Sequence, residues 1–148
     1  MKKFCLVLSI ILSLLVGCRS NNEEINVLNV NISFTSYNEH IVVINDYQEF
    51  TEKVSNNKEI KEINDDFFLS YDLVCLLVSS NAEEYHNKIK FIKAEQINSE
   101  FIFHFEGKIK DNSTDLAFFL TSFAFKVNKE LNIDEKNIEI NKKTIVGF

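Results

Sequence analysis

Hydrophobic and polar residues alternate along residues 25–34 of the chain, and this period of two predicts a half-buried β-strand. A second short strand is predicted at residues 40–44, where His40 leads into four branched apolar residues. The apolar run at residues 73–78 has no polar interruption, which is typical of a strand buried on both faces. We therefore expect this third strand in the centre of a sheet.

Further strands are predicted in the second half of the chain. Residues 88–92 and 101–105 flank turn residues near Asn98, and they predict a hairpin with three phenylalanines on one face. The apolar stretch at residues 116–127 could be a strand or a buried helix, and its phenylalanines favour a strand. A last short strand is predicted at residues 138–140. Polar loops are expected between these elements, at residues 79–87 and 108–115.

Helical signals are short. Asp46 and Glu49 have the spacing of a capping box, and apolar residues such as Phe50 and Val54 follow at helical intervals. With the strands, this helix predicts an α+β fold, in which a mostly antiparallel sheet is combined with one or two short helices. We place this single domain at residues 25–148.

Length, charge and composition limit the number of domains and the kinds of ligand that the protein could bind. The 148 residues fit one compact domain, and the formal net charge of -6 argues against broad binding of nucleic acid. With 3 glycines and no proline, the chain lacks the material for glycine-rich phosphate loops and proline-rich linkers.

The N-terminus has the pattern of an export signal. Lys2 and Lys3 precede an apolar run at residues 4–16, which is shorter than the roughly 20 residues that a helix needs to cross a bilayer. This length is typical of a secretory signal peptide. The run ends in a sequence that resembles the lipobox of bacterial lipoproteins: Leu15, Val16, Gly17 and Cys18.

The lipobox resemblance implies that residues 1–17 are removed and that Cys18 then carries acyl chains such as palmitate. Residues 18–24 would form a polar tether, and the lipid would hold the protein at the membrane of a bacterial cell envelope. The alternative is a plain secretory signal with an incidental cysteine. In the lipoprotein interpretation, Cys5 leaves with the signal and Cys75 is the only free thiol, so no intramolecular disulfide can form.

Candidate nucleophiles and ligands are few. A reactive thiol needs a nearby cation or helix N-terminus, and the middle of a buried strand offers Cys75 neither. His104 and Glu106 are two residues apart and would share one face of a strand, while His86 follows two glutamates. Zinc catalysis usually takes three protein ligands, which these spacings do not supply. We expect no metal and no cofactor.

The aspartates at positions 65, 66 and 72 could in principle form a carboxylate pair for acid–base chemistry. Aspartate is also a common helix cap, and Asp65 and Asp66 stand directly before Phe67. We predict that they cap a turn of helix. No catalytic residue is assigned, and the domain is not expected to be an enzyme.

The order of elements resembles a known family. A strand with Val-Val-Ile at residues 42–44 leads into the helix at 46–50; Ile-Asn-Asp-Asp-Phe at 63–67 then precedes the apolar strand at 73–78 and a hairpin. Over residues 40–141 this order is similar to the PrcB-like family of bacterial lipoproteins, known for an accessory subunit of a secreted subtilisin-type protease complex. The resemblance implies a non-catalytic domain that binds a partner protein.

Two hypotheses about function follow. The first is a membrane-anchored binding or accessory module with a protein partner, which could support a secreted protease complex. The second is a small-ligand carrier or small envelope enzyme, with a pocket near His104 and Glu106. A filled core with a surface patch would favour the first, and a deep cavity with converging polar groups would favour the second.

Overall fold

A computed structural model describes residues 24–35, 40–110 and 117–147. The predicted signal peptide, the lipobox with Cys18 and most of the tether lie outside the described residues, as do parts of the predicted loop at 108–115 and of the stretch at 116–127. No helix within the described residues is long and apolar enough to span a membrane.

The described residues form two α-helices and seven strands. In chain order these are β1 (Ile25–Leu28), β2 (Ile41–Ile44), α1 (Tyr47–Lys53), β3 (Tyr71–Ser80), α2 (Ala82–His86), β4 (Lys90–Ile97), β5 (Glu100–Ile109), β6 (Phe119–Asn128) and β7 (Ile138–Val146). Single turns of 3-10 helix lie at Asn57–Glu59, Phe67–Leu69, Lys129–Leu131 and Glu135–Asn137. The α+β prediction is confirmed.

The strands form two sheets rather than one. The first sheet has the order β1-β6-β3-β2, and all its neighbours are antiparallel. The second has the order β4-β5-β7, in which β4 and β5 form the predicted hairpin. β7 is longer than the strand predicted at residues 138–140, and it lies parallel to β5. The chain can make this parallel pair because it passes through the first sheet, as β6, between the two strands.

β3 lies between β6 and β2, as its uninterrupted apolar sequence predicts. Leu73, Cys75 and Leu77 face a core beneath α1, where Phe50 is fully buried. The alternate residues of β3 face a second core between the two sheets. The sheet therefore divides the interior into two apolar layers, and β3 contributes to both.

Phenylalanines fill the core between the sheets. Phe101, Phe103 and Phe105 share the buried face of β5, as the alternation predicts. The ring of Phe125 on β6 lies 4.8 Å from that of Phe103 and 4.9 Å from that of Phe91, centroid to centroid. These edge-on arrangements are the ones that aromatic pairs prefer.

The first strand ends earlier than its alternation predicts. β1 stops at Leu28, and the chain turns away to lie against the end of α1. Asn56 holds it there, since its side chain accepts a hydrogen bond from Ser33 N at 2.9 Å and donates one to the carbonyl of Asn31 at 2.8 Å. Thr35 N also donates to the carbonyl of Lys53. The predicted strand over residues 25–34 is therefore wrong beyond residue 28.

The capping predictions are confirmed in part. The side chain of Asp46 caps α1 by accepting from Glu49 N at 2.7 Å, while the Glu49 carboxylate accepts from Asn45 N rather than from Asp46 N. At Phe67–Leu69 the side chain that caps the turn belongs to Asn64, which accepts from Phe67 N at 3.1 Å. Asp66 occupies the N-cap position, but its side chain makes no capping hydrogen bond, so the prediction that Asp65 and Asp66 cap this turn through their side chains is wrong.

The loop predicted at residues 79–87 was also wrong, because it holds the end of β3 and helix α2. Asn81 and Glu84 form a capping box: Asn81 Oδ1 accepts from Glu84 N at 2.8 Å, and Glu84 Oε2 accepts from Asn81 N at 3.1 Å. The polar residues of this segment therefore start a helix rather than form a loop.

Candidate functional site

An apolar groove opens between α2 and the first half of β6. It encloses about 500 Å³ and is lined by Tyr85, His86, Lys88, Ile89, Thr121 and Phe123. This volume falls within the roughly 300–1,000 Å³ that is usual for ligand sites. We call this feature the edge groove.

Aromatic packing holds the walls of the edge groove in place. The ring of Tyr85 stacks on that of Phe119 at 4.8 Å, and the ring of Phe123 packs on Phe105 at the same distance. Tyr85 is nevertheless 43% exposed. Apolar surface that collects around a groove is characteristic of interaction sites.

The edge groove borders an open sheet edge. β6 pairs with β3 along its whole length, but β1 covers only residues 124–127 on the opposite side. Within the described parts of the chain, no strand lies beside residues 119–123 on that side. Main-chain groups on such an edge can pair with another chain.

A buried charge fixes α2, which forms one wall of the groove. Glu84 is only 2% exposed. Its Oε2 accepts a hydrogen bond from Lys142 Nζ at 2.6 Å, and its Oε1 accepts one from the hydroxyl of Thr144. Both donors lie on β7, so this carboxylate ties α2 to the second sheet. Burial alone would raise the pKa of Glu84, but these hydrogen bonds, that from Asn81 N and the charge of Lys142 together lower it.

Gly107 on β5 leaves room for the Glu84 carboxylate. A Cβ atom at position 107 would lie 2.5 Å from Glu84 Oε1 and 2.9 Å from its Cδ. Because Lys142 and Thr144 hold the carboxylate, it cannot swing away without losing both partners. Glycine is therefore needed here for close approach rather than for backbone conformation.

A second recess is polar. It encloses about 390 Å³ and is lined by Asn45, Asp72, Lys129, Asn132, Ile133 and Asp134. Asp72 is 5% exposed, and its Oδ1 lies 3.3 Å from Lys129 Nζ, which also donates to the carbonyl of Asn45 at 2.7 Å. We call this feature the Asp72 recess.

The contact in the Asp72 recess is an ion pair rather than a well-aligned hydrogen bond, and Oδ1 has no hydrogen-bond donor among the described residues. Burial raises the pKa of Asp72, and the charge of Glu49 adds to this effect, while Lys129 opposes it. Lys129 thus links the start of β3, the end of β6 and the residue after β2. We therefore interpret the contacts of Lys129 as structural, because they hold these three parts of the chain together.

His104 and Glu106 share the outer face of the second sheet, as predicted, but they line neither the edge groove nor the Asp72 recess. His104 Nε2 lies 2.7 Å from Glu95 Oε1 on the neighbouring strand. Hydrogen bonds from Lys93 and His104 lower the pKa of Glu95. His86 is separate from this cluster, since it lines the edge groove.

Cys75 lies where its sequence predicts, in the middle of β3 and 1% exposed. Burial raises the pKa of its thiol, so the reactive thiolate is disfavoured. Among the described residues, no group of three or more histidine, cysteine, aspartate and glutamate side chains could hold a metal ion.

Sequence reasoning missed both α2 and the edge groove. A signal for α2 was present, because Asn81 and Glu84 have capping-box spacing directly before Tyr85. No comparable signal exists for the groove, because its residues come from two distant parts of the chain, residues 85–89 and 121–123. Comparison of the chain with protein families, with characterised proteins and with solved structures finds no match.

Proposed function

We propose that this protein is a bacterial lipoprotein, held at the cell envelope through Cys18, and that its domain binds another protein at the edge groove without catalysing a reaction. The observation that carries the binding proposal is the apolar groove beside the edge of β6 at residues 119–123, along which no strand of the described chain lies opposite β3. Tyr85 in the wall of the groove is 43% exposed, and contiguous exposed apolar surface at a groove marks interaction sites.

The anchoring proposal rests on the sequence. The apolar run at residues 4–16 and the lipobox-like ending at Cys18 would place lipid on the new N-terminus. Six residues, 19–24, would then separate Cys18 from β1, and at full extension they span about 20 Å. The edge groove would thus act close to the membrane surface.

The non-catalytic proposal rests on what the buried ionisable groups do. Glu84 and Asp72 are each paired with a lysine that comes from a different part of the chain. Such pairs join elements, and neither carboxylate lines the edge groove. The resemblance of residues 40–141 to the PrcB-like family suggests that the partner belongs to a secreted protease complex.

The anchor is tested by Cys18→Ala. We expect this variant to stay at full precursor length and to take up no labelled fatty acid, because the thiol that accepts the lipid is gone. Cys5→Ala, whose thiol lies inside the predicted signal, should be processed and labelled as the wild type is. The measurement is metabolic labelling followed by gel electrophoresis, and label on Cys18→Ala would refute the lipoprotein assignment.

The binding site is tested by photo-cross-linking in native membranes. A benzoylphenylalanine at Thr121, in the edge groove, should form an adduct with a partner protein. The same residue at Glu139, which is exposed on β7 and outside the groove, should not. The adduct is read as a mass shift on immunoblots. Adducts at both positions in equal yield, or at neither, would contradict the groove as the binding site.

A further inference from the structure

We infer that the edge groove receives an extended segment of its partner as an additional β-strand on β6, and that this segment alternates apolar with other residues and carries an acidic side chain. The inference rests on the proposed function, because it describes how that binding would occur. It concerns residues 119–123 and the groove beside them.

The first argument is the unpaired main chain. In an antiparallel sheet, successive residues direct their N–H and C=O groups to alternate neighbours. β3 therefore satisfies only every second residue of the segment 119–123, and β1 pairs with β6 at residues 124–127 alone. The open edge is about 17 Å long at roughly 3.4 Å per residue. Peptides that add to sheet edges use main-chain groups of this kind.

The second argument is the position of β1. β1 runs antiparallel to β6 and leaves the sheet after Leu28, because Asn56 draws residues 31–33 towards the end of α1. The residues that follow Leu28 therefore do not occupy the position beside residues 119–123 that a longer β1 would fill. A partner strand in this position would extend the first sheet where β1 leaves it.

The third argument is the set of surfaces on the two sides of this position. On one face of β6, Thr121 and Phe123 line the edge groove together with Tyr85 and Ile89. On the other face, Leu120 is 42% exposed. Side chains of an added strand would alternate between these faces. Apolar residues at every second position would therefore fill the groove.

The fourth argument is charge. Although the chain has a net charge of -6, the charged side chain that lines the groove among the described residues is Lys88, with the ionisable His86 beside it, and none of those lining residues carries a carboxylate. A carboxylate on the added segment would be complementary to the positive charge of Lys88. In an edge-to-edge pair of two copies, residues 119–123 of the second copy would form the added strand, and they contain no carboxylate to face Lys88. We therefore assign the edge to a different protein.

The test uses the full chain in nanodiscs of phosphatidylcholine and a phage-displayed library of random dodecapeptides, with empty nanodiscs for counter-selection. We expect the selected peptides to alternate apolar residues and to contain aspartate or glutamate. Bound peptide should slow hydrogen exchange at amides within residues 119–123. Methylation of alternate peptide nitrogens should weaken binding roughly tenfold or more, because it removes main-chain donors and keeps the side chains.

Variants of the protein test the charge argument. Lys88→Glu should weaken the selected peptides about threefold to tenfold, as expected for one exposed charge. Lys61→Glu makes the same change at an exposed position between the two 3-10 turns at Asn57–Glu59 and Phe67–Leu69, and it should leave affinity unchanged.

Strand addition is overturned if no peptide is enriched, if backbone methylation has no effect, or if protection falls outside residues 119–123. If the chain outside nanodiscs associates with itself and protects the same amides, the edge belongs to a second copy, and the proposed strand addition by a different protein is also overturned. None of these results bears on lipid at Cys18. An adduct at Thr121 combined with a failed peptide selection would retain the proposed function and reject only the strand mechanism.

Discussion

Phe125→Ala should unfold the protein far more easily than the wild type, with a loss of about 3–5 kcal/mol in the free energy of unfolding. Phe125 has no solvent exposure, and its ring meets those of Phe91 and Phe103 at centroid distances of 4.9 and 4.8 Å. Removing it leaves a cavity between the two sheets that the facing rings cannot close. A domain of this size has roughly 5–15 kcal/mol in total, so the loss is a large part of it.

The measurement is urea unfolding followed by circular dichroism, with the midpoint and slope fitted separately. Phe118→Ala is the matched control, because the same substitution at an 82% exposed position should change stability by no more than about 0.5 kcal/mol. Equal losses for the two variants would mean that the core between the sheets is not packed as described.

Glu84→Ala should cost about 3 kcal/mol, because it leaves Lys142 and Thr144 without the acceptor that both of them use. The estimate stands at the lower end for a broken buried pair, since the Lys142 side chain is 23% exposed and can be partly hydrated. Gly107→Ala should be destabilising for the complementary reason, because the new methyl group would displace the same carboxylate. Glu139→Gln, an exposed change on β7, serves as the control and should stay within about 0.5 kcal/mol.

The contribution of Glu84 should also depend on pH. Folding lowers the pKa of this carboxyl below its ordinary value of 4.5, so its charged form is stabilised by the fold. The stabilisation is complete above that ordinary value and is lost as the pH falls through the folded-state pKa. The difference in unfolding free energy between the wild type and Glu84→Gln should therefore shrink on acidification from neutral pH. A difference that stays constant down to the acid unfolding of the protein would contradict the buried ion pair.

Several elements were predictable because their signals are local. The position of β3, the start of α1 at Asp46 and the common face of the β5 phenylalanines all depend on residues close together in sequence. The spacing of the apolar residues in a strand indicates whether one face or both faces are buried. For the same reason, the fold class followed from the sequence.

The end of β1 shows where such signals stop. The alternation of Leu28, Val30 and Ile32 is suitable for a longer strand, yet two hydrogen bonds with the Asn56 side chain direct residues 31–33 away from the sheet. The two bonds join residues that are separated by 23 and by 25 positions in the sequence, and the pattern of residues 25–34 does not predict them. That departure opens the edge of β6, and with it the site proposed for the partner.

The same distinction explains Glu84 and β7. A glutamate in a polar segment is expected at the surface, and the partners that bury it lie 58 and 60 residues later. The apolar pattern of β7 specified a face to bury, but its parallel pairing with β5 depends on the passage of the chain through the other sheet. Local periodicity therefore indicated most of the strands and their buried faces. Long-range contacts decided where β1 ends and which elements became neighbours, because a side-chain pattern records burial and does not identify the neighbour that provides it.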